Sequence, residues 1–176
     1  MLPPQRSLLP TLITYLQAVI SQGTNQLDQA LELYKLVYTT AQSPDSELSI
    51  ISKLNSIIIL RPRDSRAAEH LMTTVEKPCM STKNYLMKAA YMAVKATERG
   101  ELVKTKNYLS LALQLATQTT NQQLTFILLS FMCHRFFSGV VSEQAEKSAR
   151  AALQNATRGR DSLWSLMGGE MFAGKF

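Results

Sequence analysis

The chain reads as an all-α protein, an α-solenoid of about four helical hairpins with degenerate repeats and a partial helix at its C-terminal end. Three observations lead there. Only 7 Gly and 6 Pro occur in 176 residues, leaving long uninterrupted stretches that favour helix. Between those breaks, apolar residues recur at helical spacing. Small residues near the start of every second segment, Ala30, Ala68, Thr105 and Ala145, stand 38, 37 and 40 residues apart. A period of that size marks a stack of helix pairs, because one pair cannot bury its own faces and must lean on the next.

The first helix is expected over Leu8–Gln22, where Leu8, Leu12, Leu16 and Val19 form a stripe, with Gly23 as terminator. The second covers about Gln26 to Ala41, with Leu27, Ala30, Leu31, Tyr34 and Val37 on one face, and Ser43-Pro44 ends it. The third, rich in isoleucine, covers Glu47–Leu60 and stops ahead of Arg61-Pro62, since the residue before proline avoids helical geometry. The fourth is expected from Ser65 to Glu76, ended by Lys77-Pro78. The fifth covers Thr82–Arg99, the sixth Leu102–Thr117, the seventh Gln122–Ser138 and the eighth Ser142–Ala156. A ninth begins near Ser162 and fades into Gly168-Gly169. In the third hairpin Gly100, Leu102, Thr105, Leu109 and Ala112 match the tetratricopeptide offsets, so the hairpins are tetratricopeptide-like. The repeat domain is expected over residues 8–165, between a disordered tail at 1–7 and a C-terminal tail at 166–176.

Composition narrows the function classes. Apolar residues make up 45% of the chain, the ordinary globular range, and the length suits one domain with a real core. Two cysteines, Cys79 and Cys133, make no disulfide framework, which fits a reducing, intracellular setting. A net charge of +6 permits an acidic partner without requiring one. No apolar run reaches the ~18 residues of a membrane span.

The tetratricopeptide offsets also select the residues facing the concave side. These are Ile13, Gln17 and Ile20; then Met87, Ala90, Val94 and Thr97; then Phe126, Leu129, Cys133 and Phe136. Most are apolar, and the Lys/Asn/Arg clamp of many peptide-binding solenoids is missing. Such a groove suits a long partner segment laid inside and buried by aliphatic and aromatic anchors. The competing assignment makes the same residues inter-repeat core.

Chemistry is hard to find. Cys133-His134 lacks companions at ligand spacing, with only His70 and Cys79 elsewhere, and there is no CxxC or HExxH. Adjacent helix residues also point about 100° apart, which separates a Cys-His nucleophile pair. Gly168-Gly169 is followed by no Lys-Ser pair, so no phosphate loop exists. No catalytic, cofactor or metal residue is assigned, and the chain reads as a binding scaffold without cofactors. Basic residues gather between Lys83 and Lys106, with Lys88, Lys95 and Arg99 at helical spacing. The alternative function they offer is a nucleic-acid-contacting solenoid using that face; without interleaved aromatics, a solvated outer face is the plainer account.

The segment QLTFILLSFMCHRFFSGVVSEQAEKSARAAL (Gln123–Leu153), followed by DSLW at Asp161–Trp164, resembles the C-terminal repeats of the fungal cohesin-loading factor family. These proteins are the tetratricopeptide subunit of the cohesin loader, related to the animal chromatid cohesion factor. The stretches Leu8–Tyr34 and Val103–Thr117 are similar to the same family, so the likeness covers most of residues 8–165. Family members are several times longer, and the resemblance implies that this chain corresponds to their C-terminal part. It further implies an all-helical superhelix that wraps the N-terminal segment of the large HEAT-repeat loader subunit. Nuclear, chromatin-associated work in cohesin loading and sister-chromatid cohesion follows, with cohesin and chromatin reached indirectly. ATP hydrolysis would belong to cohesin itself.

Overall fold

The computed structural model describes residues 8–41, 43–98, 101–137 and 143–158, and all regular structure among them is helical. Eight helices follow in order: α1 (Leu8–Gly23), α2 (Leu27–Thr40), α3 (Glu47–Leu60), α4 (Ser65–Ser81), α5 (Tyr85–Ala96), α6 (Leu102–Gln118), α7 (Gln122–Phe137) and α8 (Glu143–Arg158). They form two compact units, Met1–Thr82 and Lys83–Phe176. In the first unit each helix packs against the next, and α1 also touches α3; in the second, α5, α6, α7 and α8 pack consecutively. Consecutive packing of antiparallel hairpins is the pattern of a helical solenoid, as the sequence led us to expect.

The repeat register is visible in what each second helix buries. In α2 the buried residues are Ala30, Tyr34 and Val37; in α4, Ala68, Met72, Val75 and Cys79; in α6, Thr105, Leu109, Ala112 and Ala116. The α4 set lies 38 residues beyond the α2 set and 37 before the α6 set. A small residue opens each set, which lets the neighbouring helix come close, and a larger one fills the space a turn later. Ala145, the fourth small residue of the series, lies outside the described side chains.

This register also explains where the fourth helix departs from expectation. Pro78 does not end α4, which continues to Ser81. A proline inside a helix removes one N–H and crowds the preceding turn, at about 3 kcal/mol. Cys79 occupies the position equivalent to Ala116 and is fully buried, like Val75. Continuing the helix keeps that stripe in the core, and the Pro78 carbonyl still accepts the Thr82 N–H at 3.1 Å. The fifth helix then starts later than expected, at Tyr85, because the Asn84 side chain caps it by accepting the N–H groups of Leu86 and Met87 at 3.0 and 3.2 Å.

Other helix starts follow the same rule. Ser46 accepts the Ser49 N–H at 3.3 Å, Asp64 accepts Ala67 N–H at 3.0 Å, and Asn121 accepts Leu124 N–H at 2.8 Å. Two helix ends share one turn. After α1 the left-handed residue is Asn25 (φ 61°), with Gln26 N–H bonding Ser21 O at 2.8 Å and Asn25 N–H bonding Gln22 O at 3.1 Å. After α6 it is Thr120 (φ 53°), with Asn121 N–H bonding Ala116 O at 3.2 Å and Thr120 N–H bonding Thr117 O at 3.1 Å. Both are Schellman closures. Gly23 thus ends α1, while the left-handed conformation falls two residues later, on an asparagine that tolerates it.

Threonine tolerates it poorly, since a β-branched side chain crowds the following carbonyl. Thr120→Gly should therefore raise stability by about 0.5–1 kcal/mol, the relieved strain less the extra backbone entropy glycine loses on folding. Urea unfolding should show a higher midpoint with an unchanged slope; an unchanged or lower midpoint would mean the turn holds Thr120 without strain.

Candidate functional site

α1 carries the most exposed apolar surface of the described residues. Leu8, Leu9, Leu12, Ile13, Leu16, Val19 and Ile20 are between 40% and 67% exposed. At 3.6 residues per turn they occupy about 140° of the helix circumference. The buried residues of α1 are Ala18 and Ser21, on the other side. The stripe Leu8–Leu12–Leu16–Val19 that identifies the helix in the sequence is therefore not the face it buries. No residue from Leu8 to Gly23 is charged, so the surface is aliphatic without an ionic rim of its own.

What holds α1 in place is a tyrosine pair. The Tyr15 and Tyr34 rings lie 6.0 Å apart and tilted by 54°, an arrangement favoured by the ring quadrupoles. Tyr34 is fully buried with Ala18, Ala30 and Ile59, and its hydroxyl donates to Gln22 Oε1 at 2.7 Å. α1 also touches α3, where Asn55 comes near the Tyr15 hydroxyl. Burial, chiefly, with the neighbouring Tyr15, pushes the Tyr34 hydroxyl up to about 12. Burial also raises Tyr15, the nearby Asn55 side chain lowering it in smaller part. Beside this cluster, a mainly apolar cleft of about 530 Å³ is lined by residues including Leu8, Thr11, Leu36 and Leu48, at the N-terminal ends of α1 and α3 and the C-terminal end of α2.

The groove residues read from the sequence divide by exposure. In the first unit Ile13 (48%), Ile20 (64%) and Gln17 are exposed. In the second, Met87, Val94 and Phe126 are buried at 4%, 6% and 2% exposure. Ala90, Leu129 and Phe136 are half-buried, and Thr97 is exposed with its hydroxyl on Val94 O at 2.8 Å. The Cys133 side chain lies outside the description. Leu9, Leu12 and Leu16, absent from that set, belong to the same exposed face as Ile13 and Ile20. The signal for them was present: a helix with aliphatics on one side and only small residues at Ala18 and Ser21 on the other.

The basic positions are partly engaged. Lys95 pairs with Glu98 at 3.0 Å and Lys104 with Glu101 at 3.4 Å. Lys88 is half-buried, and Arg99 lies outside the described residues. Because α4 continues past Pro78, Cys79 and His70 share one helix, nine residues and thus half a circumference apart. Among the described residues no group of three His, Cys, Asp or Glu side chains could hold a metal ion. Cys79 is buried, and burial pushes its thiol up to about 11, making it a packing residue of low reactivity. No described helix is long and apolar enough to cross a membrane.

Fold and surface together define an all-helical repeat protein whose features are apolar faces rather than a polar pocket. The chain belongs to the cohesin loading factor family, which it matches over residues 3–175. No curated protein and no solved structure matches it. Family membership supports a role in cohesin loading.

The tyrosine cluster carries a pH dependence. Tyr34 binds its proton more tightly folded than unfolded, so its contribution is whole below the unfolded pKa of about 10 and is lost as pH rises toward 12. Tyr34→Phe should cost about 1 kcal/mol for the Gln22 bond and flatten the fall in stability between pH 10 and 12. Denaturant unfolding across that window checks both; an unaltered alkaline fall in the variant would assign it to other tyrosines.

Proposed function

We propose that this chain is a non-catalytic scaffold subunit of the cohesin loader, acting at chromatin in the nucleus. It sheathes an extended segment of the large HEAT-repeat loader subunit. The observation that carries this reading is the aliphatic surface of α1, with Ile13, Gln17 and Ile20 exposed on a helix that bears no charge. Family membership supplies the process. A protein partner with apolar anchors gains from covering such a surface, since both sides leave water together. Leu129 and Phe136, half-buried on α7, are further candidate contacts in the second unit. Met87, Val94 and Phe126 would enter the interface only at the edge of the core they already fill. The alternative, a nucleic-acid face on the 83–106 segment, gains no support from lysines already paired with carboxylates.

Because Phe126 is buried, Phe126→Asp tests the fold rather than the interface. The informative variants are Ile13→Asp and Ile20→Asp. Co-expressed with the N-terminal segment of the large loader subunit, the native chain should elute with it as one complex in size-exclusion chromatography. The double variant should keep its helical circular dichroism and bind at least tenfold more weakly. Lys88→Glu with Lys95→Glu should leave that complex unchanged. Normal binding by the Ile13/Ile20 variant would remove α1 from the interface, and loss of DNA binding on charge reversal would favour the nucleic-acid reading.

A further inference from the structure

We propose that Ser43 is a phosphorylation site, the acceptor of a proline-directed protein kinase, and that a phosphate there weakens binding along the Leu8 end of α1. Kinases of this class choose a serine or threonine by the proline that follows it, since proline presents no N–H that the kinase would have to satisfy. Of the 6 prolines in the chain, only Pro44 follows a serine or threonine. That dipeptide stands where a kinase can reach it, with Ser43, Pro44 and Asp45 all exposed. Residues 41–46 are the longest connection between helices of the first unit, the other two being residues 24–26 and 61–64. A kinase takes its substrate as an extended segment, and a connection of this length can be drawn out without unwinding α2 or α3. Little holds it in place. Ser43 O accepts the Ser46 N–H at 3.1 Å, Ser43 Oγ accepts the Asp45 N–H at 3.2 Å, and Pro44 O accepts from Lys53 Nζ at 3.4 Å. The last two bonds lie at the surface, where water replaces them at little cost.

The transfer itself is simple. Ser43 Oγ attacks the γ-phosphorus of ATP, and the new Oγ–P bond replaces the bond to the β,γ-bridging oxygen. ADP leaves, and the hydroxyl proton passes to the kinase's catalytic carboxylate. The product carries a charge of about −1.5 to −2. Ser43 lines the apolar cleft together with Leu8, Leu36 and Leu48, and none of the described residues lining it is charged. Asp45, two residues on, adds like charge, while Lys53, already at the Pro44 carbonyl, offsets one charge at most. A phosphate at that edge keeps its water, so an apolar segment covering Leu8 loses contact there or bears the cost of desolvating a dianion. The switch rests on the loader-subunit reading, whereas the site does not.

The purified full chain is incubated with ATP and a cyclin-dependent kinase, and separately with a mitogen-activated kinase, and its phosphopeptides are mapped by mass spectrometry. At least one kinase should place a phosphate on Ser43. Pro44→Ala, which keeps the hydroxyl but not the motif, should reduce incorporation at least tenfold. No phosphate on Ser43 with either kinase, or equal incorporation in Pro44→Ala, would overturn the site. The phosphorylated chain should bind the N-terminal segment of the large loader subunit at least tenfold more weakly than the untreated chain, with helical circular dichroism retained. Ser43→Ala exposed to the same kinase should bind normally. Equal binding by phosphorylated and untreated chains would overturn the switch. If the untreated chain ignores the segment, the loader-subunit reading fails and the switch falls with it, while the mapping still decides the site.

Discussion

The structure depends on how closely the second helix of each hairpin can approach its neighbours. Ala30, Ala68 and Thr105 leave room at the point of contact, and Tyr34, Met72 and Leu109 fill the space one turn later. Dispersion and burial both fall off quickly with a gap, so this alternation of small and large side chains sets the spacing of the layers. On the facing helices the same economy operates: α3 presents Ser49, Ser52 and Ser56, all buried. Ser52 and Ser56 satisfy their hydroxyls within the helix, on Leu48 O at 2.7 Å and Ser52 O at 2.9 Å, so these two serve as small spacers with their hydrogen bonds made, while the buried Ser49 hydroxyl has no partner.

Short connections then fix each helix relative to the next. Asn121 shows how little chain this takes: its N–H closes the end of α6 on Ala116, and its side chain caps the start of α7. A single residue satisfies donors and acceptors that two separate ends would otherwise leave open. Exposed ion pairs add little to this framework. The Glu143–Lys147 and Glu146–Arg150 pairs on α8 lie one turn apart on the surface and contribute a few tenths of a kcal/mol each. They are worth more as a solvating face, with acidic residues at the start of α8 and Arg158 in its last turn complementing the helix dipole.

For function, the pattern that matters is the contrast between α1 and the helices around it. α4 balances its buried stripe with an outward face bearing Arg66, Glu69, His70 and Glu76. α1 bears aliphatics outward and small residues inward, with no charge to solvate it. In a family whose role is cohesin loading, this helix is the face on which the proposed binding of another polypeptide rests. The Tyr15–Tyr34 ring contact and the Tyr34–Gln22 hydrogen bond tie α1 to α2 on the side away from that face.

Sequence alone was sufficient for the class and, among the described residues, for the eight helices and the 38- and 37-residue spacing of their buried sets, because these rest on local matters: helix breakers, 3.6-residue periodicity and small residues at a fixed interval. The ninth helix expected near Ser162 lies outside the described residues. The sequence placed Ala30, Ala68 and Thr105 in register, and their burial follows from that spacing. It failed where tertiary contact outweighs local preference. Pro78 reads as a stop, yet Cys79 needs to stay in the core and the helix goes on. Val94 shares its offset with Gln17, and Ala90 and Leu129 share theirs with Ile13, yet Val94 is buried and the other two half-buried where Gln17 and Ile13 are exposed, since equivalent repeat positions differ only in which neighbours surround them. An apolar residue records that it avoids water, and not which surface it turns toward. That choice is made by packing, and packing buried Ile50 and Leu54 while leaving Leu12 and Leu16 in contact with solvent.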